Sequence, residues 1–157
     1  PQKKQVLVKY SGNNSTNYFP GKMNFQSLDF SLEILDTSRE DGQLYEYSVS
    51  RGPEEEVQQI QLRVYEAVSD PTIRILSKEL ANGSCTLTLN CSAGQGDDVS
   101  YSWHSHDRRT SGLCSANSSS LHLSYPLWTT TVSCVCTTTN PVSSRDVTFN
   151  PSECSHE

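Results

Sequence analysis

The chain has 157 residues, of which 34% are hydrophobic, and a mean hydropathy of -0.56, values typical of a soluble β-rich protein with one large domain or two small ones. Its formal net charge of -6 is divided evenly between the two halves, so no basic patch indicates a nucleic-acid partner, and no apolar run approaches the length of a membrane span. Because the chain begins at Pro1, with neither an initiating Met nor a signal peptide, we expect a processed or truncated piece of a longer protein.

The first half of the chain predicts short strands separated by turns. PQKKQVLVKYSG contains a short apolar run with basic flanks, and the turn-rich loop NNSTNYFPGK follows it. Met23 and Phe25 indicate a brief strand, and EVQQIQLRVYE predicts the last strand of this half. The alternation of apolar and polar residues predicts an inward face that contains Phe30, Leu32, Ile34, Ile60, Leu62 and Val64.

One spacing in this half is specific. Asp41 precedes Tyr45 by four residues in SREDGQLYEYSVSRG. This is the spacing of the tyrosine corner of immunoglobulin-like sandwiches, in which a Tyr near the start of strand F hydrogen-bonds back to the turn between strands E and F. Tyr47 stands two residues later, where such domains usually carry a Cys. We therefore interpret the first half as the C-terminal part of a sandwich without the usual disulfide.

A boundary between two domains is predicted at AVSDPT, residues 67–72. Proline has no N–H with which to continue a strand ladder, so Asp70-Pro71 interrupts any strand that reaches it. We therefore expect two domains, residues 1–67 and 70–154, joined by a short connection.

The second half contains five short runs in which apolar residues alternate with polar ones, and clusters of Gly, Asn, Asp or Ser separate the runs. A Cys, a Trp twelve residues later and a Cys on a late strand are the signature of an immunoglobulin-like sandwich, and here they are Cys91, Trp103 and Cys136. The residues predicted to face inward are Cys85, Leu87, Leu89, Cys91, Val99, Tyr101, Trp103, Leu121, Leu123, Tyr125, Val132, Cys134, Cys136, Val147 and Phe149.

All six Cys lie in the second half, which indicates an oxidising compartment. Cys85 and Cys91 would lie roughly 20 Å apart on one strand, at about 3.4 Å per residue, and Cys134 and Cys136 face the same side of another strand, so neither pair should form a disulfide. These exclusions leave ten of the fifteen pairings that six Cys allow. The sandwich pattern favours Cys91–Cys136 between the sheets and then Cys85–Cys154, which leaves Cys114–Cys134.

Metal binding and catalysis are the alternatives for the Cys and His residues. Cys134 and Cys136 with His104 and His106 offer zinc ligands, but their spacing is a weak zinc signal. We interpret His104, His106 and Asp107 as part of a solvent-exposed loop after the strand tryptophan, and no Ser–His–Asp arrangement has support beyond composition. The sequence therefore predicts no metal site, no cofactor and no enzyme.

Four segments resemble the ectodomain of the SLAM family of leukocyte receptors: QLRVYEAVSDPTI, NGSCTLTLNC, GDDVSYSW and CTTTNPVS at residues 136–143. The resemblance implies an all-β fold of two immunoglobulin-like sandwiches in tandem. The first would be a truncated V-set domain without a disulfide, since the front strands and the strand C Trp are absent, and the second a C2-set domain with at least two disulfides. Two departures from the family pattern are Cys134, which replaces the usual corner Tyr of the second domain, and the additional Cys114.

For function, the resemblance implies cell-surface recognition and co-stimulatory immune signalling on the extracellular side of the plasma membrane. Family members bind themselves or a relative on an opposing cell through the GFCC′C″ sheet of the first domain, so the expected partner is another immunoglobulin-like receptor and not a nucleic acid or a small-molecule substrate. Any membrane anchor would lie in segments outside this chain. The alternatives are a secreted or viral decoy of the same fold and a glycan-binding module.

The outward side of the strands interpreted as C′, F and G is the expected partner-binding face. The alternative interpretation is that these positions are ordinary solvent-exposed residues with no binding role. Its residues are Lys4, Lys9, Glu46, Ser48, Ser50, Gln59, Gln61 and Arg63. Five N-x-Ser/Thr motifs are candidate glycosylation acceptors, at Asn13, Asn14, Asn82, Asn90 and Asn117.

Overall fold

Two compact units make up the chain, and both are built from β-strands. The computed structural model describes residues 3–106, 112–127 and 132–151. The first unit is Pro1–Val64 and the second is Tyr65–Glu157. Within the described residues the helical element is a 3-10 turn at Arg39–Asp41, and no helix there is long and apolar enough to cross a membrane. The predicted domain limits, 1–67 and 70–154, stay predictions.

The described residues of the first unit form three antiparallel strand pairs, in which each strand bonds to its neighbour in the chain. Gly12 and Asn13 both have a positive φ, as the tight turn between the first two strands requires, and Gly52 has a positive φ in the turn of the last pair. The strands are β1 Val8–Ser11, β2 Asn14–Asn17, β3 Met23–Gln26, β4 Ser31–Ile34, β5 Leu44–Arg51 and β6 Glu54–Gln61.

The predicted inward face of the first unit is largely uncovered. Phe30, Leu32 and Ile60, which alternation predicts to face inward, are 49%, 40% and 64% exposed, so no second sheet covers that side in the described structure. Phe30 also lies outside β4, with a φ of 57°. Alternation predicts the side of a strand on which a residue lies, whereas burial needs a second layer of structure, and the described strands of this unit form only two-stranded sheets. Among its described hydrophobic residues, Met23 is the one that is buried.

The strands described in the second unit are β7 Pro71–Ala81, β8 Ser84–Ala93, β9 Ser100–His104, β10 Ser120–Pro126, β11 Cys134–Asn140 and β12 Ser143–Phe149. They form two three-stranded antiparallel sheets, with strand orders β10–β8–β7 and β12–β11–β9. Pro71 begins β7, where the missing N–H costs no ladder bond. A register shift between Ile75 and Ser77 interrupts the β7–β8 pairing.

The core of the second unit lies between its two sheets and matches the predicted alternation. The predicted inward residues of β8, β10 and β11 are all buried, and those of β12 are partly buried and pack against them. Thr138 of β11 is also buried, on the same side of the strand as Cys134 and Cys136. Val135 is buried too, which alternation does not predict because Val135 lies on the opposite side.

Disulfides join the parts of this core. Cys91 of β8 bonds to Cys136 of β11, with a Cα–Cα distance of 6.5 Å, and therefore links the two sheets. Trp103 lies opposite Cys136 in the β9–β11 register, as in immunoglobulin-like sandwiches generally. Cys114 and Cys134 form a second disulfide, with a Cα–Cα distance of 5.4 Å. Both pairings are those that the sequence favours.

Two consequences follow for the remaining Cys predictions. Cys85 is disulfide-bonded as well, and its predicted partner, Cys154, lies outside the described residues. Cys134 and Cys136 have no free thiolate for a metal because both are in disulfides, so the zinc alternative is wrong.

Candidate functional site

The β5–β6 hairpin carries most of the predicted partner-binding residues on one side. In its register Glu46 lies opposite Gln59, Ser48 opposite Val57 and Leu44 opposite Gln61. Directly opposed residues of antiparallel strands point to the same side of the sheet, and alternate residues of one strand do so too. Glu46, Ser48, Ser50, Gln59 and Gln61 therefore share one face, and all five are exposed. We call this side the hairpin face.

The hairpin face also has apolar members that the sequence analysis missed. Leu44 and Val57 lie on it and are 58% and 47% exposed. They were missed because the outward side was identified by its polar residues, whereas register places every second residue there whatever its polarity. Glu55 lies opposite Ser50 on the same face and brings a negative charge to its turn end.

An ion pair lies on this face. Lys4 Nζ donates to Glu46 Oε2 over 2.8 Å, and the side chains of Lys4 and Glu46 are 77% and 27% exposed. The hydrogen bond from Lys4 is the main reason why the pKa of the Glu46 carboxyl is lowered, and a weaker bond from Gln59 adds to it. The negative charge of Glu46 is thus already paired with Lys4 within the chain. Because the pair is exposed, its contribution to stability is small.

Arg63 and Lys9 are placed differently from the other predicted residues. Arg63 is exposed two residues beyond the end of β6 and is not part of the hairpin. Lys9 is exposed on β1, opposite Thr16, and in the described chain β1 is paired with β2 alone. The structure therefore brings Lys4 and five hairpin residues together and leaves Arg63 at one end of the face and Lys9 on another sheet.

The start of β5 is fixed by the predicted tyrosine corner. The Tyr45 hydroxyl donates to the carbonyl oxygen of Asp41 over 2.8 Å, which confirms the corner. The Asp41 carboxylate accepts from Lys22 Nζ at 2.8 Å and from the N–H of Ser38 at 2.8 Å. These bonds lower the pKa of Asp41, and burial together with the Asp41 charge raises the pKa of Tyr45.

The candidate glycosylation acceptors lie on both units and stay predictions. Asn13, Asn82 and Asn117 are exposed in turns or bends, and Asn14 is exposed at the start of β2. Asn90 is partly buried on β8, between Arg74 of β7 and Ser120 of β10. Its position in a central strand is unusual for an acceptor, since acceptors are typical of surface loops.

The remaining candidates for chemistry form no site among the residues that the structure describes. His104 and His106 contact each other edge to face with ring centroids 5.7 Å apart, and Asp107 lies outside the described residues. No group of three or more His, Cys, Asp or Glu residues that could hold a metal ion occurs in the described part of the chain.

Comparison with known proteins identifies the family. The chain is 35% identical over 158 aligned residues to the signaling lymphocytic activation molecule of dog, Canis lupus familiaris, and 39% identical over 153 to that of mouse, Mus musculus. These alignments cover 99% and 94% of the chain. The chain belongs to the SLAM family. It spans about half the length of these curated relatives, 46% and 44%. No protein-family model matches it.

The fold agrees with this membership. The crystal structure of the CD2-binding domain of CD58 superimposes with a TM-score of 0.55 and 20% identity, over 90% of this chain and 76% of that one. At that identity the likeness shows the fold alone, which is a pair of immunoglobulin-like units. Membership of the SLAM family supports an immune-receptor extracellular domain rather than an enzyme.

Proposed function

We propose that this SLAM-family chain is the extracellular portion of a leukocyte receptor that recognises itself or a family member on an opposing cell and thereby contributes to co-stimulatory signalling. The observation that carries the proposal is the hairpin face, an exposed two-stranded surface with polar, charged and apolar residues at the end of the first unit. We further propose that this unit is part of a V-set domain and that the second unit is of the C2 set.

The charges of the face favour a two-fold contact between copies. Glu55 lies at the turn end of the hairpin, and Arg63 follows its opposite end. In a two-fold, antiparallel apposition, the Arg63 end of one copy meets the Glu55 end of the other. Glu46, the one acidic residue of the predicted partner-binding face, is less suited to this role because its carboxylate is already paired with Lys4.

Such a contact should be weak. Exposed ion pairs contribute roughly 0–1 kcal/mol each, and charges at the rim of an interface act mainly on the association rate and its salt dependence. Multivalent display on a surface raises a weak contact to a measurable level because the second and later contacts become intramolecular.

Aggregation of beads coated with the 157-residue chain tests the proposal. Arg63→Glu should reduce self-aggregation, and beads that carry Glu55→Arg should bind the Arg63→Glu beads again because the charges are exchanged. Arg74→Glu is the matched control, since it makes the same charge change at an exposed position of β7 in the second unit.

Two outcomes would contradict the proposal. If Arg74→Glu abolished aggregation while Arg63→Glu had no effect, the contact would lie on the second unit. If aggregation disappeared after enzymatic removal of glycans from the opposing beads, the chain would be a glycan-binding module.

A further inference from the structure

The segment that leads into the second unit is hydrogen-bonded to one of that unit's loops. The Glu66 N–H donates to Asp97 Oδ2 over 2.8 Å, and the Asp97 N–H donates to the Glu66 carbonyl oxygen over 3.2 Å. Ser69 is bonded twice to Gln95: its N–H donates to the Gln95 carbonyl oxygen at 3.1 Å, and its Oγ accepts from the Gln95 N–H at 3.0 Å. Residues 66–69 thus form a second layer over the loop between β8 and β9.

Val68 is the apolar anchor of the same segment. It is 3% exposed, and its N–H donates to Ser143 Oγ over 2.8 Å. Gly96 lies directly against it, since a Cβ on Gly96 would come within 2.9 Å of Val68 Cγ1. Gly96 also has a φ of +133°, which side chains with a Cβ rarely adopt. The loop is therefore shaped to receive Val68.

Asn140 joins this segment to both neighbouring loops. Its Nδ2 donates to the carbonyl oxygens of Glu66 and Asp97, at 2.7 Å and 3.0 Å. Its Oδ1 accepts from the N–H and the Oγ of Ser143, at 2.9 Å and 2.7 Å, and also from Val142 N–H. The amide thus uses both of its donor hydrogens and its acceptor oxygen. An Asp at this position would have no hydrogen to donate and would face two carbonyl oxygens.

Among the residues that the structure describes, those just before this segment are not hydrogen-bonded to the second unit. The Leu62 N–H donates to the Gln43 carbonyl oxygen over 3.0 Å, inside the first unit. In the described part of the chain, residues 63–65 take part in no hydrogen bond or ion pair. Three residues span at most about 10 Å when fully extended.

We propose that residues 66–69 are a fastened part of the second unit, with Asn140 as the positioning residue, and that the loosely held part of the connection is confined to residues 63–65. Asn140 acts by holding the Glu66 carbonyl and by ordering the turn that presents Ser143 to Val68. The proposal concerns the connection alone and does not depend on what the first unit binds.

Amide hydrogen exchange on the 157-residue chain tests it. In the unsubstituted protein the N–H groups of Glu66, Val68 and Ser69 should exchange at least about tenfold more slowly than those of Val64 and Tyr65. Asn140→Asp should speed the exchange of Glu66, Val68 and Ser69 at least about tenfold, because the carboxylate repels the two carbonyl oxygens. The N–H of Leu89 in β8 should not change.

Two further variants make the result decisive. Asn150→Asp is the matched control, since it makes the same chemical change at an exposed residue just after β12, and it should leave residues 66–69 unaffected. Ser143→Ala removes the acceptor of the Val68 N–H and one of the donors to Asn140 Oδ1, leaves the Asn140 amide in place, and should speed the exchange of Val68 more than that of Ser69. If Asn140→Asp also changes the exchange rate of the Leu89 N–H, and therefore disturbs the second unit as a whole, the Ser143→Ala variant tests the proposal instead.

The proposal is overturned if residues 66–69 of the unsubstituted protein exchange as fast as residues 64 and 65. It is also overturned if Asn140→Asp and Ser143→Ala both leave the exchange of residues 66–69 the same as in Asn150→Asp.

Discussion

Tyr45 shows how one hydroxyl group fixes the position of a strand. Its bond to the Asp41 carbonyl oxygen ties the start of β5 to the 3-10 turn at Arg39–Asp41. We expect Tyr45→Phe to reduce the local stability of β5 by about 1 kcal/mol, the usual net contribution of one hydrogen bond. Hydrogen exchange of the β5 amides measures this change. Tyr47→Phe is the control, because the Tyr47 hydroxyl makes no hydrogen bond in the described structure and its removal should have little effect.

The same corner should make the first unit sensitive to acid. Asp41 has a pKa below its ordinary value of 3.8, chiefly because Lys22 and the Ser38 N–H donate to its carboxylate. A lowered pKa means that the charged carboxylate stabilises the fold. Its contribution is fully present above pH 3.8 and is lost as the pH falls through the lowered value.

Urea unfolding of the first unit between about pH 2 and 6 checks this expectation. Asp41→Asn should flatten the acid limb of the stability profile. Asp36→Asn should retain it, because Lys22 contacts the backbone carbonyl of Asp36 and not its carboxylate. An unchanged acid limb in Asp41→Asn would show that other carboxylates set the acid sensitivity.

At the scale of the strands, the two described disulfides should differ in their effect. Cys91–Cys136 closes a loop of 45 residues and Cys114–Cys134 one of 20. Loop closure entropy grows with the logarithm of loop length, so loss of the longer bridge should cost about 0.7 kcal/mol more than loss of the shorter one, within a typical cost of about 2–4 kcal/mol for each.

Double Cys→Ala variants of each pair, unfolded in guanidinium and followed by Trp fluorescence, measure the two costs. All four sulfur positions are fully buried, so the cavity penalties are similar and largely cancel in the comparison. A larger loss of unfolding free energy in the Cys114–Cys134 variant would show that loop length does not determine which disulfide stabilises the unit more.

Alternation predicted the burial of a strand correctly only where a second sheet covers that strand. In β8 the alternation of Cys85, Leu87, Leu89 and Cys91 predicts both the strand and its burial, because a second sheet covers that side. In β4 and β6 the same kind of alternation places Leu32 and Ile60 on one side, but the side is exposed. Periodicity is local information, whereas the presence of a covering layer is not.

For the candidate site, too, the sequence predicted the local arrangement and not the contacts between distant residues. Glu46, Ser48 and Gln59 share a face because strand periodicity and hairpin register are encoded locally. The bond from Lys4 to Glu46 joins residues 42 positions apart, and no sequence pattern indicates it. The Asn140 contacts with Glu66, 74 positions away, are equally invisible in the sequence, although CTTTNPVS helped to identify the family.

At the scale of the whole molecule, the two units differ in how much core they have. The second unit has a contiguous buried cluster that includes both described disulfides. The first unit has one buried hydrophobic side chain among its described residues, Met23, and exposed apolar residues on both sides of the β5–β6 hairpin. Since apolar burial is the dominant favourable term in folding, the second unit should be much the more stable and cooperative of the two.

Differential scanning calorimetry of the 157-residue chain should therefore show one sharp transition, which belongs to the second unit, and a broad transition of low enthalpy at lower temperature. Disulfide reduction is the internal control: it should lower the midpoint of the sharp transition and leave the broad one in place, because no Cys lies in the first unit. Two equally sharp transitions would contradict this expectation. They would require the first unit to bury far more apolar surface in solution than its described strands do, for example through association of exposed hairpins from two copies. In that case the midpoint of the extra transition would rise with protein concentration, whereas the midpoint of the second unit would not.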